Sequence, residues 1–396
     1  MHPADDLRCS KSEKLKGRRI VLGVTGSVAA VESVKICRGL VRHGADVRVV
    51  MSADARKIIH PYSLEFASGR PVVTEIDGSV QHVAMCGAVP DRADMLLIAP
   101  ATANTLSKIA CGIDDTTVTT FATTALGTGI PTMVVPAMHG TMMQHRIVLE
   151  NIDRLREAGV VVIESKAEES KVKMPSVEEI VTAVISRIGR GDMRGIKVLV
   201  VAGSTEEPLD DVRLLTNRSS GETGIELATA AYERGARVEL WMGRCEAMIP
   251  SYLTVRRFSS TRDLKGMIDD MPHMDIVLFP VAVSDYTTDP TPGKLPSTDD
   301  SITLTLKRTP KLIDRVEGGT VVGFKAQSEI GDAQLVEEAV ELINRAGCSF
   351  AIANRIEEVR TGTTRILIVE ADGSAKEVLG SKAKAADVIL DRALKE

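Results

Sequence analysis

Several residues of this chain are of types, and at spacings, that could hold an anion or move a proton. Gly23-Val24-Thr25-Gly26-Ser27 ends a buried, β-branched run and opens a helical one. Backbone N–H groups exposed at such a turn, together with the helix dipole, favour a phosphate. The turn is not the G-x-G-x-x-G dinucleotide fingerprint, because the third glycine is missing and Ala29-Ala30 stand nearby. Alone, it reads equally as a tight strand–helix turn. Residues 94–104 (DMLLIAPATAN) run from a buried strand straight into small and hydroxyl side chains, and ligands of open α/β sheets bind at that carboxyl edge. Residues 131–138 (PTMVVPAM) repeat the arrangement. His82 stands just before the apolar stretch leading into the same sheet. A lone histidine usually packs or faces water, but imidazole also suits proton transfer near neutrality.

The second half carries a different set. Asn217 and Ser219-Ser220-Gly221 precede a helix, so side-chain donors and free N–H groups could meet an anionic ligand. Asp285 follows an apolar strand read over 276–283, where a carboxylate suits Mg²⁺ bridged to a nucleotide phosphate. Lys294, in the loop beyond, can neutralise charge on a transferring phosphoryl group. Phe324 offers a flat apolar face for a base. Core packing for Phe324 and a turn cap for Asp285 account for the same positions.

Both sets need parallel sheets behind them. In the first half, strands read at 19–24, 46–51, 95–99, 131–135 and 160–163, with a helix over 29–43 that ends at Gly44. Strand, helix and strand in that order form a βαβ unit, hence a parallel sheet with helices on its faces. A second start follows at 196–202 (IKVLVVA), with a helix over 224–234 and a strand at 237–241. The predicted fold is therefore α/β, with two Rossmann-like domains. Expected boundaries are a polar N-terminal extension over 1–17, mobile at its tip, a first domain over 18–188, a polar, glycine-containing linker over 189–195 and a second domain over 196–396. A length of 396 residues suits two domains, and 44% apolar residues suffice for two cores. The net charge of -5 and an aromatic fraction of 3%, with Trp241 the sole tryptophan, argue against nucleic-acid binding. No apolar run reaches the ~18 residues of a membrane span, and residues 1–19 do not resemble a signal peptide. None of the six cysteines forms a C-x-x-C pair. A reduced, cytoplasmic enzyme is the expectation.

Taken together, GVTGSVAA, SADARKII, the His82 segment, APATANTLSKIACGIDD and PAMHGTMM, in this order, resemble the flavin-dependent cysteine decarboxylases, nearest to the 4'-phosphopantothenoylcysteine decarboxylases. The likeness spans about residues 18–185 and implies a flavodoxin-like flavoprotein domain. It implies FMN held by Gly26, Ser27, Ser52, Thr102 and Asn104, His82 as the active-site base, and Met142 as the methionine of the P-x-M-N-x-x-M motif. The motif's asparagine, which meets the substrate carboxylate, is His139 here. The family's flap cysteine has no counterpart in residues 165–175 (SKAEESKVKMP). Archaeal-type members share both departures.

Residues 196–396 resemble the phosphopantothenate–cysteine ligases through AGSTEEPLDDVRLLTNRSSG (202–221), VAVSDY (281–286), Lys294, VGFKA (322–326) and AIAN (351–354). This likeness implies a ribokinase/Rossmann-like ligase domain. It implies Asn217 and Lys294 as catalytic residues, Arg213 at the substrate, and Ser219, Ser220, Gly221, Asp285, Lys294 and Phe324 around the nucleotide, with Mg²⁺ on Asp285. The family's Ser-Ser-Gly-Lys loop has Glu222 in place of lysine, and two helix lysines are missing near Glu338, Leu342 and Ala346, with Lys325 and Arg345 as possible stand-ins. The two halves together imply consecutive steps of coenzyme A biosynthesis. On this likeness cysteine is joined to 4'-phosphopantothenate through an acyl-nucleotide, with CTP the expected nucleotide and ATP the alternative. FMN chemistry then releases CO₂ to give 4'-phosphopantetheine. They also imply a homo-oligomer, from a trimeric flavin half and a dimeric ligase half. Other readings are a regulatory FMN-binding protein without turnover, which the fused ligase and His82 oppose, and a nicotinamide-dependent dehydrogenase, which the missing glycine opposes.

Overall fold

Short, β-branched apolar runs become strands buried on both faces, which requires helices above and below each sheet. The computed structural model describes residues 2–163, 166–168, 171–295, 302–358 and 362–395. The chain divides into two units, Met1–Arg190 and Gly191–Glu396.

In the first unit, β1 (Arg19–Val24), β2 (Asp46–Met51), β3 (Met95–Ala101), β4 (Thr132–Pro136) and β5 (Val161–Val162) form a wholly parallel sheet in the order β2-β1-β3-β4-β5. This is the flavodoxin-like order. Alternate β1 residues serve opposite faces. Ile20, Leu22 and Val24 share a core with α2 (Ser33–Arg42) and α9 (Val177–Ile188). Val21 joins Leu96, Ile98 and Phe121 in a second core, with residues of α5 (Ala103–Ala110) and α6 (Thr117–Gly127). The remaining helices are α1 (Pro3–Leu7), α3 (Pro61–Ser68), α4 (Gln81–Cys86), α7 (Gly140–Met143) and α8 (Arg146–Glu157). Within the flap-equivalent segment, β6 (Lys166–Glu168) pairs antiparallel with β7 (Lys171–Lys173); Ser165, Glu169 and Ser170 of the expected flap lie outside the described residues.

The structure departs from the expected extension over 1–17. Ala4 and Leu15 are buried, and the Arg8 guanidinium donates to Ala45 O at 2.7 Å. Cys9 and Leu15 donate backbone N–H groups to Val41 and His43 carbonyls. Two apolar side chains and the open carbonyls around the end of α2 hold this polar stretch in place.

In the second unit, β8 (Lys197–Ala202) is followed by the antiparallel pair β9 (Glu206–Pro208) and β10 (Leu214–Thr216), then α10 (Glu222–Glu233), β11 (Arg237–Met242), β12 (Thr254–Arg257), α11 (Thr261–Asp269) and β13 (Ile276–Phe279). A small pair, β14 (Tyr286–Thr287) and β15 (Lys307–Arg308), precedes β16 (Thr320–Gln327), α12 (Asp332–Ala346), β17 (Phe350–Arg355), β18 (Thr363–Val369), β19 (Ala375–Ser381) and α13 (Lys382–Ala393). The sheet order β12-β11-β8-β13-β16-β17 is parallel and reproduces the Rossmann order 3-2-1-4-5-6; β18 and β19 extend it antiparallel. The strand expected over 276–283 stops at Phe279, where Pro280 removes a ladder donor. A Cβ on Gly224 of α10 would lie 2.1 Å from Ala202 Cβ, so glycine lets this helix press onto β8. Met193, within the stretch read as linker, is buried in the second unit's core, and Asp192 pairs with buried Arg234 at 2.7 Å.

Candidate active sites

In the first unit, the carboxyl ends of β1, β2 and β3 are tied into one rim. Thr25 Oγ1 donates to Pro100 O at 2.8 Å and accepts Thr102 N–H at 3.1 Å. Ser52 N–H donates to Val24 O at 3.0 Å. Gly26 comes so close to the next loop that a Cβ would sit 2.5 Å from Asp54 Cβ. Ser27 caps the 3₁₀ turn Val28–Glu32, Ser52 Oγ accepts Ala55 N–H, and Thr102 caps α5. Asn104 is exposed in the first turn of α5. Gly26, Ser27, Ser52, Thr102 and Asn104 therefore stand along one edge, offering hydroxyl, amide and backbone donors.

His82 belongs to α4, with its ring edge-on to Phe121 of α6 at 6.4 Å between centroids. Its Nδ1 is buried and has no hydrogen-bond partner. An orphaned buried imidazole nitrogen is costly unless a ligand or water satisfies it. His139 lies just past β4 and caps α7; its Nδ1 accepts Thr141 N–H at 3.4 Å and lies 2.9 Å from Thr141 Oγ1. With Nδ1 accepting, a neutral ring carries its proton on Nε2. Met142 follows on the same turn and is half exposed.

In the second unit, residues 203–217 bracket the loops that carry the other candidates. Asn217 Nδ2 donates to Ala282 O at 3.3 Å and Val283 O at 3.2 Å. Thr205 Oγ1 accepts Ser284 N–H at 2.9 Å, and buried Glu207 accepts Thr287 Oγ1 at 2.8 Å. Arg213 donates to Asp210 at 2.6 Å and to Leu295 O at 3.1 Å, so its guanidinium grips the loop of Lys294. Lys294 itself is exposed.

Ser219 and Ser220 lead to Gly221, which caps α10 with φ of 76° and would place a Cβ 2.8 Å from Cys245 Cβ. Glu222 does not stand as a free acid in the lysine's place. It pairs with buried Lys382 and accepts Gly362 N–H at 3.1 Å. Asp285 pairs with Lys311 at 2.5 Å. Beside β16 opens a cleft of about 190 Å³ whose lining includes Phe324, Asp285, Lys311, Lys325, Glu338 and Arg345. Its cations have acidic partners: Lys311 with Asp285, Lys325 with Glu338 at 2.9 Å and Arg345 with Asp314 at 3.1 Å. Asp285 and Phe324 thus meet in one cleft, while Asn217, Ser219, Ser220, Gly221 and Lys294 do not line it. Among the described residues, no group of three or more His, Cys, Asp or Glu side chains could hold a metal alone.

Sequence reading gave no role to Thr25, Thr205, Glu207 and Asp210, although each stands in a quoted motif, and named Lys311 only as an alternative to Lys294. Only Asp210 carried a local signal, since an aspartate in a turn accepts N–H groups from residues just ahead.

The Flavoprotein family profile matches residues 8–189, and that of the DNA/pantothenate metabolism flavoprotein C-terminal domain matches residues 193–395. With the two sheet orders, these define a two-domain α/β flavoprotein. The coenzyme A biosynthesis bifunctional protein CoaBC of Thermococcus kodakarensis is 42% identical over 404 aligned residues, covering 99% of this chain and 98% of that protein. CoaBC of Methanocaldococcus jannaschii is 33% identical over 403, covering 100% and 98%. The chain belongs to this family of bifunctional coenzyme A biosynthesis enzymes, which join a decarboxylase half to a ligase half. Among solved structures, the FMN-dependent cysteine decarboxylase SpaF is 34% identical with a TM-score of 0.39, covering 44% of this chain and 98% of that one. No described helix is long and apolar enough to cross a membrane.

Proposed function

We propose that the second unit ligates cysteine to 4'-phosphopantothenate, with CTP as the activating nucleotide, and that the first unit decarboxylates the product to 4'-phosphopantetheine with FMN. The observation carrying this reading is the end-to-end likeness to a bifunctional coenzyme A biosynthesis protein, with both family profiles in order on one chain.

The residues of the first unit fit a flavin mononucleotide. Hydroxyl and backbone donors of Ser27, Ser52 and Thr102 suit phosphate and polar ring edges, and the orphaned His82 Nδ1 awaits a partner. FMN, when bound, would supply the two-electron oxidation that lets the substrate carboxylate leave as CO₂ and would then return the electrons to the product. His82 moves a proton at the thiol end of the substrate. His139 Nε2–H donates to the carboxylate, and Met142 borders the same place. Phe121 packs edge-on beside the base.

In the second unit, the phosphopantothenate carboxylate attacks the nucleotide α-phosphate, and cysteine's amine then displaces the nucleotide. Lys294 meets charge on the phosphoryl group, and Phe324 packs against the base. A Mg²⁺ bound mostly by phosphate oxygens needs only one or two protein carboxylates. Asp285 serves that role, handing Lys311 over to phosphate. Ser219, Ser220 and Gly221 receive a nucleotide phosphate, Arg213 faces the substrate while holding the Lys294 loop, and Asn217 stands beside the reacting carboxylate while tying its turn to residues 282–283. The chain assembles as a homo-oligomer built from flavin-half trimers and ligase-half dimers. A test is to incubate purified protein with phosphopantothenate, cysteine and CTP or ATP. Nucleotide-dependent pyrophosphate without CO₂ or 4'-phosphopantetheine would sink the decarboxylase assignment, and CO₂ only from preformed substrate would sink the ligase.

A further inference from the structure

Asp210 is a buried carboxylate with an unusual division of labour. Its Oδ1 accepts the N–H groups of Val212 at 2.7 Å and Arg213 at 2.6 Å, closing its own turn. An asparagine could do that equally well. Its Oδ2 accepts Leu295 N–H at 2.9 Å and the Arg213 guanidinium at 2.6 Å, and only an acceptor-only atom can take both. Arg213 also holds Leu295 O at 3.1 Å. On the other flank of Lys294, Asp211 Oδ2 accepts Gly293 N–H at 3.1 Å, and Asp211 N–H donates to Gly293 O at 3.3 Å. The backbone amides on both sides of Lys294 are therefore pinned to the 210–213 turn, while its side chain is exposed.

We propose that Asp210 is a positioning residue for the ligase reaction, clamping the Lys294 loop through Leu295 and Arg213 and so fixing where the Lys294 ammonium meets the phosphoryl group. The inference rests on the reading of Lys294 as the phosphoryl-facing cation. Burial raises the Asp210 carboxyl, but the N–H groups of Leu295, Val212 and Arg213 and the Arg213 guanidinium outweigh it. The carboxyl is held well below the usual range and stays an anion at any working pH. A displacement of about 1 Å at a reacting centre can cost ~10²-fold in rate, so a lysine on an unpinned loop is a poor electrostatic partner.

The test is a double-mutant cycle in the full chain. Asp210→Asn keeps Oδ1 on its turn and points an NH₂ at two donors, releasing the clamp alone. The pyrophosphate burst is measured with phosphopantothenate, Mg²⁺ and CTP, without cysteine, in wild type, Asp210→Asn, Lys294→Gln and the double variant. The expected result is a loss of about 10–100-fold for Asp210→Asn, with nucleotide KM unmoved, and no further loss when the change is made in Lys294→Gln. The same fold-loss in both backgrounds, or an unaffected burst in Asp210→Asn where Lys294→Gln is slow, overturns the proposal. An unchanged burst in Lys294→Gln alone instead removes Lys294 from the reaction, and the clamp loses its purpose with it. Should Asp210→Asn not fold, Arg213→Gln, at a more exposed position, is run through the same cycle with the same expectations.

Discussion

The buried Nδ1 of His82 has no hydrogen-bond partner among the protein's own groups, which leaves it open to a ligand or a water. His82→Asn is expected to lower CO₂ release by about 10²–10⁴-fold, the usual worth of a general acid or base, while ligation in the same sample continues. Decarboxylation near the wild-type rate would make His82 a packing residue against Phe121. His139 leads to a sharper expectation, because Thr141 occupies Nδ1 and leaves Nε2–H as the donor. His139→Asn still offers an N–H and should retain decarboxylation within about ten-fold, whereas His139→Ala loses a charge-facing hydrogen bond and should drop by another ten-fold or more. Steady-state decarboxylation of 4'-phosphopantothenoylcysteine by both variants separates the cases, and equal rates would place the carboxylate elsewhere. At this scale the sequence was legible for residue type and less so for role. Asn217 and Arg213 read as ligand-facing groups, and each also donates to backbone carbonyls far along the chain. Hydrogen bonds spanning 65 to 82 positions leave no trace in local spacing. Neither does the pairing of Glu222 with Lys382, 160 positions away.

The elements were far more legible than their ends. The strands Arg19–Val24 and Asp46–Met51 stand where the apolar runs put them, because a strand buried on both faces has few alternatives. The expected helix over 29–43 instead opens as a 3₁₀ turn, Val28–Glu32, before α2 begins at Ser33. Ser33 Oγ donates to Ala99 O at 2.9 Å there, a tertiary tie invisible to periodicity. Gly224 gives the most direct test of packing at this scale. Gly224→Ala puts a methyl 2.1 Å from Ala202 Cβ, and overpacking of this kind costs about 1–3 kcal/mol. Calorimetry should show a lower melting transition for the ligase half alone, and an unmoved transition would mean that α10 shifts freely on β8. The N-terminal stretch supplies a pH test. Burial, then the nearby Lys11 and Lys14 charges, push His43 down to about 4, where Ser12 Oγ meets its Nδ1 at 2.6 Å. The unfolded chain titrates this ring near the ordinary ~6.5 and so binds more protons between those values. The stabilisation is complete above about pH 6.5 and is lost as pH falls toward 4. Thermal melts across that window should fall more steeply for wild type than for His43→Asn, and parallel slopes would contradict the assignment.

Across the whole molecule, two sheets of different order carry two sets of candidate site residues, grouped about the carboxyl ends of each unit's own parallel strands. The division of chemistry follows from topology, since crevices of open α/β sheets form at those ends. It is expected that visible absorbance after FMN addition belongs to a chain of residues 1–190, and that residues 191–396 remain colourless and ligate. A coupled assay on the full chain reads both reactions at once and decides whether the protein carries out the two-step conversion. Purified protein with FMN is given 4'-phosphopantothenate, cysteine, CTP and Mg²⁺, and pyrophosphate, CO₂ and 4'-phosphopantetheine are quantified together. All three are expected in equal amounts, with His82→Asn stopping at pyrophosphate and accumulating 4'-phosphopantothenoylcysteine. Absence of both pyrophosphate and CO₂ with either CTP or ATP, from protein that binds FMN, would contradict the two-step conversion.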